Sequence, residues 1–249
     1  MHNFFVEPWQ IQGNEVRITG NDVNHIKNVL RMKPGDELSV SNGMDNKEYR
    51  CGIEEFADDA VCCRLRFIKE ADVELPSKVY LFQGLPKGDK MELIIQKAVE
   101  LGVYEIIPVA AKRAVVKLDE KKAKNKIIRW QGISQAAAKQ SRRRIIPMVK
   151  PIMSMKEATA YAKKMDVRLI PYEMAEGMAK TREIMESLKP GQSVAVFIGP
   201  EGGFEESEVE MAKEAGICPI TMGKRILRTE TAGFTMMAWI VYQLEEDGI

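Results

Sequence analysis

The sequence is poor in the residues that build metal centres and disulfide frameworks. Among 249 residues it has two histidines, His2 and His25, and four cysteines, Cys51, Cys62, Cys63 and Cys218. Two histidines exclude a multi-histidine metal centre. No cysteine pair has CxxC spacing, so neither a zinc site nor a disulfide scaffold is expected, and no metal is assigned. No apolar run reaches the roughly 18 residues of a membrane helix. The start, MHNFFVEPWQ, lacks the charged opening and apolar stretch of a signal peptide. The expected setting is the reducing cytoplasm, away from membranes. Net charge is also missing: 37 basic groups face 36 acidic ones, with 45% hydrophobic and 29% charged residues. That balance excludes disorder by charge excess and fits a globular chain.

The neutrality conceals a segregation. Residues 1–70 carry 9 basic and 12 acidic groups, residues 71–150 carry 17 and 8, and residues 151–249 carry 11 and 16. The basic middle includes Lys112, Arg113, Lys117, the lysine run 121–126, Arg129, Lys139 and Arg142, Arg143 and Arg144. A solvated helical face explains a charge run by itself. Three adjacent arginines also suit phosphate oxygens, which makes the block a candidate footprint for RNA.

Residues 1–70 read as short strands rich in Val, Ile, Phe and Tyr, with turns at Pro34-Gly35-Asp36 and Asn42-Gly43, which suggests a small barrel. One helix is expected over residues 21–32, with Val23, Ile26, Val29 and Leu30 on one face. From about residue 76 strands alternate with helices, the pattern of an α/β fold with a parallel sheet. Asp89 with Glu92, Ser154 with Glu157 and Ser207 with Glu210 have capping-box spacing, and Gly102 is a helix stop. VAVFIGP is an apolar run suited to a strand buried on both faces. In the helix over residues 124–140, Ile127, Ile128, Ile133 and Ala137 are expected on one face. The expected domains are 1–72 and 73–249.

Ligands of open parallel sheets bind outside the carboxyl ends of the strands. Three such ends carry chemistry. The first is Ile198-Gly199-Pro200-Glu201-Gly202-Gly203-Phe204. Its glycines permit close backbone approach, but the spacing is neither G-x-G-x-x-G nor a P-loop. The acidic helix start that follows disfavours phosphate and suits a neutral or cationic ligand. A tight strand-to-helix turn would explain the glycines equally well. The second is Met222-Gly223-Lys224-Arg225-Ile226-Leu227-Arg228-Thr229-Glu230-Thr231. Helix capping accounts for the threonines and the glutamate. It leaves unexplained why Arg225 and Arg228 stand at the positive end of a helix. The third, Ile170-Pro171-Tyr172-Glu173, reads as a loop.

Taken together, IGPEGGFEESEVEMA followed by GKRILRTETA closely resembles the ribosomal RNA small-subunit methyltransferase E family of the SPOUT superfamily. His25-Ile26, Val29-Leu30-Arg31-Met32 and Gly35-Asp36, then Ile95-x-Lys97-Ala98-x-Glu100-Leu101-Gly102-Val103 with Pro108, then Gln140-Ser141 with Arg143 and Pro147, extend the resemblance over essentially the whole chain. Two positions depart from the pattern: Lys139, where glutamate is common, and Asn3, near a common arginine. The resemblance implies a PUA-like RNA-binding β-barrel ahead of a trefoil-knotted α/β domain. It also implies S-adenosylmethionine as cofactor, a homodimer, and methylation of N3 of one uridine in 16S ribosomal RNA of the assembled small subunit.

On that reading the cofactor lies against Phe197, Ile198, Gly199, Pro200, Gly202 and Gly203 and against Met222, Gly223, Ile226 and Leu227. Pro171, Tyr172, Glu173 and Ala232 close the pocket. Arg228 is expected to stabilise negative charge on the uracil oxygens, with Glu201 and Glu230 as orienting groups or proton acceptor. RNA is expected to meet Arg31, Lys33, Lys112, Arg113, Arg142, Arg143, Arg144 and Arg225, while Phe4 and Phe5 read first as strand core and only second as a stacking surface. Two alternatives stay open: a SPOUT methyltransferase acting on another RNA, and a non-catalytic RNA-binding or ribosome-assembly protein.

Overall fold

The computed structural model describes residues 1–114, 119–175 and 177–245. Lys117, one of the residues of the basic block, and residues 246–249 of the expected second domain lie outside them. The chain divides into two compact units. The first holds Met1–Glu74 together with Ala138–Ile146, and the second holds Leu75–Ala137 and the chain from Pro147.

The first unit contains β1 (Asn3–Phe5), β2 (Ile11–Gln12), β3 (Glu15–Thr19), α1 (Asn21–Asn24), β4 (Glu37–Ser41), β5 (Lys47–Phe56) and β6 (Ala60–Glu70). The strands form one sheet in the order β1-β4-β5-β6-β3-β2, so the small barrel expected here is a half-barrel. Strand alternation decides its core. In β3, Val16 and Ile18 point inward between exposed Glu15 and Arg17, the period-2 pattern of a sheet with one buried face. They meet Phe4, Ile26, Leu38, Val40, Ile53 and Val61.

Phe4 is therefore core, with its ring against His25, and is not a stacking platform for a base. The single helix expected over 21–32 is α1 followed by a π-helical turn at His25–Val29. The wider turn rotates Val29 out of the apolar stripe, leaving it 61% exposed while Ile26 is buried. Asn3, one of the two departures from the family pattern, accepts hydrogen bonds from the hydroxyls of Ser39 and Ser41 at 3.1 and 3.3 Å.

The segment 138–146 packs with the first compact unit, although it lies within the expected domain 73–249. The Glu74 carboxylate accepts from Arg143 Nε at 3.0 Å and Nη2 at 2.5 Å. It also accepts from the backbone N–H groups of Arg144 and Ile145 at 3.0 and 3.1 Å. Ile146 N–H donates to the Gly43 carbonyl at 2.8 Å. Lys139, the second departure, pairs with Asp22 at 2.9 Å and stands over the Phe4 ring.

The second unit is wound as β7 (Lys78–Gly84), α2 (Lys90–Glu100), β8 (Glu105–Ala110), α3 (Glu120–Gln140), β9 (Met148–Val149), β10 (Met153–Ser154), α4 (Met155–Ala162), β11 (Val167–Pro171), α5 (Met178–Glu186), β12 (Ser193–Ile198), α6 (Glu206–Glu214), β13 (Cys218–Ile220) and α7 (Thr229–Leu244). The last residues of α3 belong to the first unit. The sheet runs β10-β8-β7-β12-β11-β13, with β9 also on β8, and every pairing is parallel. β12 lies between β7 and β11, and Val194 to Ile198 are all buried, as both-face coverage requires. On one face Phe82, Ile107 and Phe197 pack against Met155, Ala158 and Ala162 of α4 and Val209 and Ala212 of α6. α2 and α7 pack together.

Local chemistry sets the helix ends. Ser154 and Glu157 form the expected capping box. Gly102, at φ +83°, follows α2. Asp89 occupies the cap position of α2, but its backbone is not extended and its side chain makes no cap bond. α6 is capped two residues earlier than expected, by a reciprocal box of Glu205 and Glu208. Ser207 lies inside the helix, donating to Glu205 at 3.1 Å. Ile128 is 72% exposed, and the buried stripe of α3 is Trp130, Ser134, Ala137 and Ala138.

Candidate active site at the carboxyl ends of the sheet

The ends of β11, β12 and β13 face one cavity of about 610 Å³. Its shape follows from glycine. A Cβ on Gly199 would stand 3.0 Å from Gly203 Cα, so the 199–203 turn closes on itself only without one. Gly203 holds φ +68° and donates its N–H to the Pro200 carbonyl at 2.9 Å. Gly84, at the end of β7, lets Pro200 pass: a Cβ there would come within 2.5 Å of Pro200 Cδ. Close approach is thus the reason for the glycines, and it hands backbone groups of the turn to the cavity.

A buried polar link ties this turn to the start of α7. Thr229 Oγ1 donates to the Gly199 carbonyl at 2.6 Å and accepts from Gln83 Nε2 at 2.9 Å. The sequence reading of Thr229 as a helix cap is therefore replaced. Arg228 holds the cap position without a side-chain cap bond. On the far wall, Gly223 at φ +103° donates its N–H to Thr221 Oγ1 at 3.2 Å. Thr181 of α5 donates its hydroxyl to the Thr221 carbonyl at 3.0 Å.

Of the residues expected at the cofactor, Pro171, Tyr172, Glu173, Ile198, Gly199, Pro200, Gly202, Gly203, Met222, Gly223, Ile226, Leu227 and Ala232 line the cavity. Phe197 does not. It is fully buried and stacked on Phe82 at 4.2 Å, because strand alternation turns it into the core one residue before the turn. Arg228 and Glu201 line the cavity, as do Arg113 and Arg225 from the expected RNA set. Arg113 Nη1 donates to the Gly202 carbonyl at 3.2 Å. Glu230 sits beside this lining, its Oε2 3.7 Å from Lys90 Nζ.

Lys90, Gln83, Phe204, Thr221 and Lys224 were not singled out by sequence. Lys90 had a readable signal. It is the first residue of α2, where a cation opposes the helix dipole, the same anomaly that drew notice to Arg225 and Arg228. Its Nζ donates to Glu201 Oε1 at 2.9 Å, and the Lys87 N–H donates to both Glu201 oxygens at 3.1 and 3.2 Å. Burial opposes ionisation of Glu201, but the Lys90 bond and backbone N–H groups outweigh it and hold the carboxyl below its ordinary range. The Glu201 bond correspondingly raises Lys90, against the effects of burial and Arg228. Among the described residues no group of three His, Cys, Asp or Glu side chains could hold a metal ion.

The remaining expected RNA residues separate into two kinds. Arg31, Lys33, Lys112 and Arg142 are exposed. Arg31 and Arg142 carry positive φ, 53° and 60°. Lys112 pairs with Glu205 at 2.8 Å. Arg143 and Arg144 are corrected. The Arg143 side chain is 5% exposed against Glu74, and the Arg144 side chain is 11% exposed with Nη2 3.4 Å from Glu48. Their charge is spent inside the first unit.

A family described as RNA methyltransferase domain matches residues 73–241, and one described as RNA methyltransferase PUA domain matches residues 18–65. The chain is similar to the ribosomal RNA small subunit methyltransferase E of Bacillus subtilis, 40% identical with 98% of each chain covered. The Mesomycoplasma hyopneumoniae protein of the same name is 35% identical over 95% of this chain and 97% of its own. The crystal structure of a ribosomal RNA small subunit methyltransferase E from Neisseria gonorrhoeae bound to S-adenosyl methionine superposes with a TM-score of 0.80, at 31% identity, covering 97% of both chains.

Proposed function

The chain belongs to the ribosomal RNA small subunit methyltransferase E family, and on that premise we propose that it transfers a methyl group from S-adenosylmethionine to N3 of one uridine in 16S ribosomal RNA. The observation that carries this reading is the cavity at the ends of β11, β12 and β13. Its volume suits a ligand of nucleoside size. Gly199, Gly202 and Gly203 give it a backbone wall, while Ile198, Phe204, Leu227 and Ala232 give it apolar surface. The spacing of its glycines is neither G-x-G-x-x-G nor a P-loop, which fits a donor that carries a sulfonium and no phosphate.

When bound, that donor supplies an electrophilic methyl group. The chain's residues have two tasks. They must hold the acceptor nitrogen in line, a positioning effect that reaches about 7–11 kcal/mol in favourable cases. They must also stabilise the charge that develops on the uracil oxygens, the role of Arg228 at the mouth. The expected residues that line the cavity are the proposed cofactor contacts.

RNA is proposed to meet Arg31, Lys33, Lys112, Arg113, Arg142 and Arg225. Left-handed backbone at Arg31 and Arg142 supports this, since a non-glycine residue there costs about 1–2 kcal/mol and strain of this kind collects at functional positions. A homodimer is part of the proposal. Ile226 beside the cavity and Tyr242 on α7, 88% and 89% exposed, are surfaces a second copy would cover. The trefoil knot of the SPOUT superfamily, a cytoplasmic setting and the assembled small subunit as substrate complete it.

The test is methyl transfer from labelled S-adenosylmethionine to unmethylated small subunits, with nucleoside mass spectrometry of the product. Appearance of 3-methyluridine is expected. A different methylated nucleoside would redirect the reading to another target, and absence of both transfer and cofactor binding would overturn it.

A further inference from the structure

The geometry points to a division of labour between the two carboxylates at the cavity, set by Lys90: Glu201 is a strut for the 199–203 turn, Glu230 takes the proton from the uracil N3, and Lys90 is the positioning residue that acts through both. The inference deepens the proposed reaction and rests on it.

Both oxygens of Glu201 are already engaged. Both of its oxygens accept from the Lys87 N–H, and Oε1 also accepts from Lys90 Nζ. Those bonds fix the residue between Pro200 and Gly202, and so fix the turn whose backbone faces the ligand. Protonating Glu201 would break that clamp.

Glu230 differs. Its Oε2 is shut off from solvent and has no hydrogen-bond donor. The nearest opposite charge is Lys90 Nζ, 3.7 Å away, beyond hydrogen-bond distance. A buried acceptor without a donor is an unfavourable arrangement. A ligand N–H or a proton would relieve it. Lys90, from the first turn of α2, stands between the two carboxylates, 2.9 Å from Glu201 and 3.7 Å from Glu230, and also feels the charge of Arg228 from the residue before α7. Catalytic hydrogen bonds are often long before the substrate complex forms, and the lysine stem gives the ammonium freedom to follow the Glu201 strut while Glu230 turns to the base.

In the step itself the N3–H bond breaks and its proton passes to the Glu230 carboxylate. The nitrogen electron pair forms the new bond to methyl. The sulfur–methyl bond breaks, leaving its electron pair on sulfur as a neutral thioether. No further reagent is required.

The experiment compares the wild type with Glu230→Gln, Glu201→Gln, Lys90→Met and Lys90→Arg. Each is measured for S-adenosylmethionine affinity by calorimetry and for kcat and KM on small subunits across pH. Glu230→Gln should lower kcat by about 10²–10⁴-fold, the usual weight of a general base, with cofactor affinity within about threefold. Glu201→Gln should weaken cofactor binding and leave the pH profile of kcat in place. Lys90→Met should move the acid limb of the rate to higher pH and weaken cofactor binding, and Lys90→Arg should restore both. Full turnover by Glu230→Gln would overturn the assignment. So would an unmoved acid limb of the rate in Lys90→Met. Wild-type protein that binds no S-adenosylmethionine would remove the underlying reading, and the inference with it. That outcome is distinct from an active wild type with an indifferent Glu230.

Discussion

Replacing Glu74 with alanine deletes one carboxylate and strands four donors. Arg143 Nε and Nη2 and the N–H groups of Arg144 and Ile145 all converge on it, and the paired side chains are 5% and 8% exposed. Breaking a buried pair from one side leaves an uncompensated charge, at a cost of about 3–5 kcal/mol. The two amides would each add about 1–3 kcal/mol if they stayed dry, but the void left by the carboxylate admits water. The expected loss therefore stays near the 3–5 kcal/mol of the charge itself. At a urea slope near 2 kcal/mol per M, the midpoint of the first unit should fall by roughly 1.5–2.5 M.

Urea denaturation followed by circular dichroism, with hydrogen exchange in β4 to β6 reporting that unit, is the assay. A loss below about 1 kcal/mol, the scale of an exposed pair, would refute the argument and return Arg143 to the surface. Arg143→Met gives the complementary readout. A phosphate contact would lower the salt slope of RNA binding by about one and spare stability. A structural residue should do the reverse, and that is the expected result.

Thr229→Val should destabilise the protein by about 1–3 kcal/mol, because Gln83 Nε2 and the Gly199 carbonyl each lose a buried partner; Thr229→Ser should not, and equal melting temperatures for the two would refute the link. Arg142→Gly should stabilise the protein by about 1 kcal/mol by relieving the positive φ while weakening RNA binding; a loss of stability would mean that the side chain holds the fold. Stability should also fall in acid through Glu201. Its carboxyl is held below the ordinary value near 4.5, so its contribution is present above that pH and is lost as pH falls through the lowered value. Glu201→Gln should flatten that part of the melting-temperature profile, and an unchanged acid slope would show that the Lys87 and Lys90 bonds contribute nothing.

Periodicity was readable wherever the backbone kept one regular rotation. The continuous apolar run of β12, the alternation in β3 and the Ser154–Glu157 box all announce their structures locally. Val29 was misplaced because the helix widens into a π turn, and a stripe drawn at 3.6 residues per turn then drifts off the buried face. Ser207 was misplaced as a cap because glutamate can serve the same box two residues earlier. The cavity was legible because two of its three strand ends carry glycines and one of these also carries misplaced cations. Phe197 was drawn into it only by adjacency, one pleat too early.

What composition could not supply was the partner of each charge. Arg142, Arg143 and Arg144 look alike in a row, yet the chain turns between them. Arg142 takes the left-handed backbone and faces solvent, while Arg143 and Arg144 turn inward to Glu74 and Glu48. Those acids lie about seventy and a hundred residues away in the chain, so no local window contains the pairing. The same distance hides Lys90, whose carboxylates stand more than a hundred residues later. One local rule does reach across it. A cation at the first turn of a helix is mildly unfavourable, and Lys90, Arg225 and Arg228 all stand at or just before one. The fold brings these three to the same cavity. Cations set against a dipole therefore mark this site better than the density of basic residues does, because the dipole penalty has to be offset by something the local sequence does not contain.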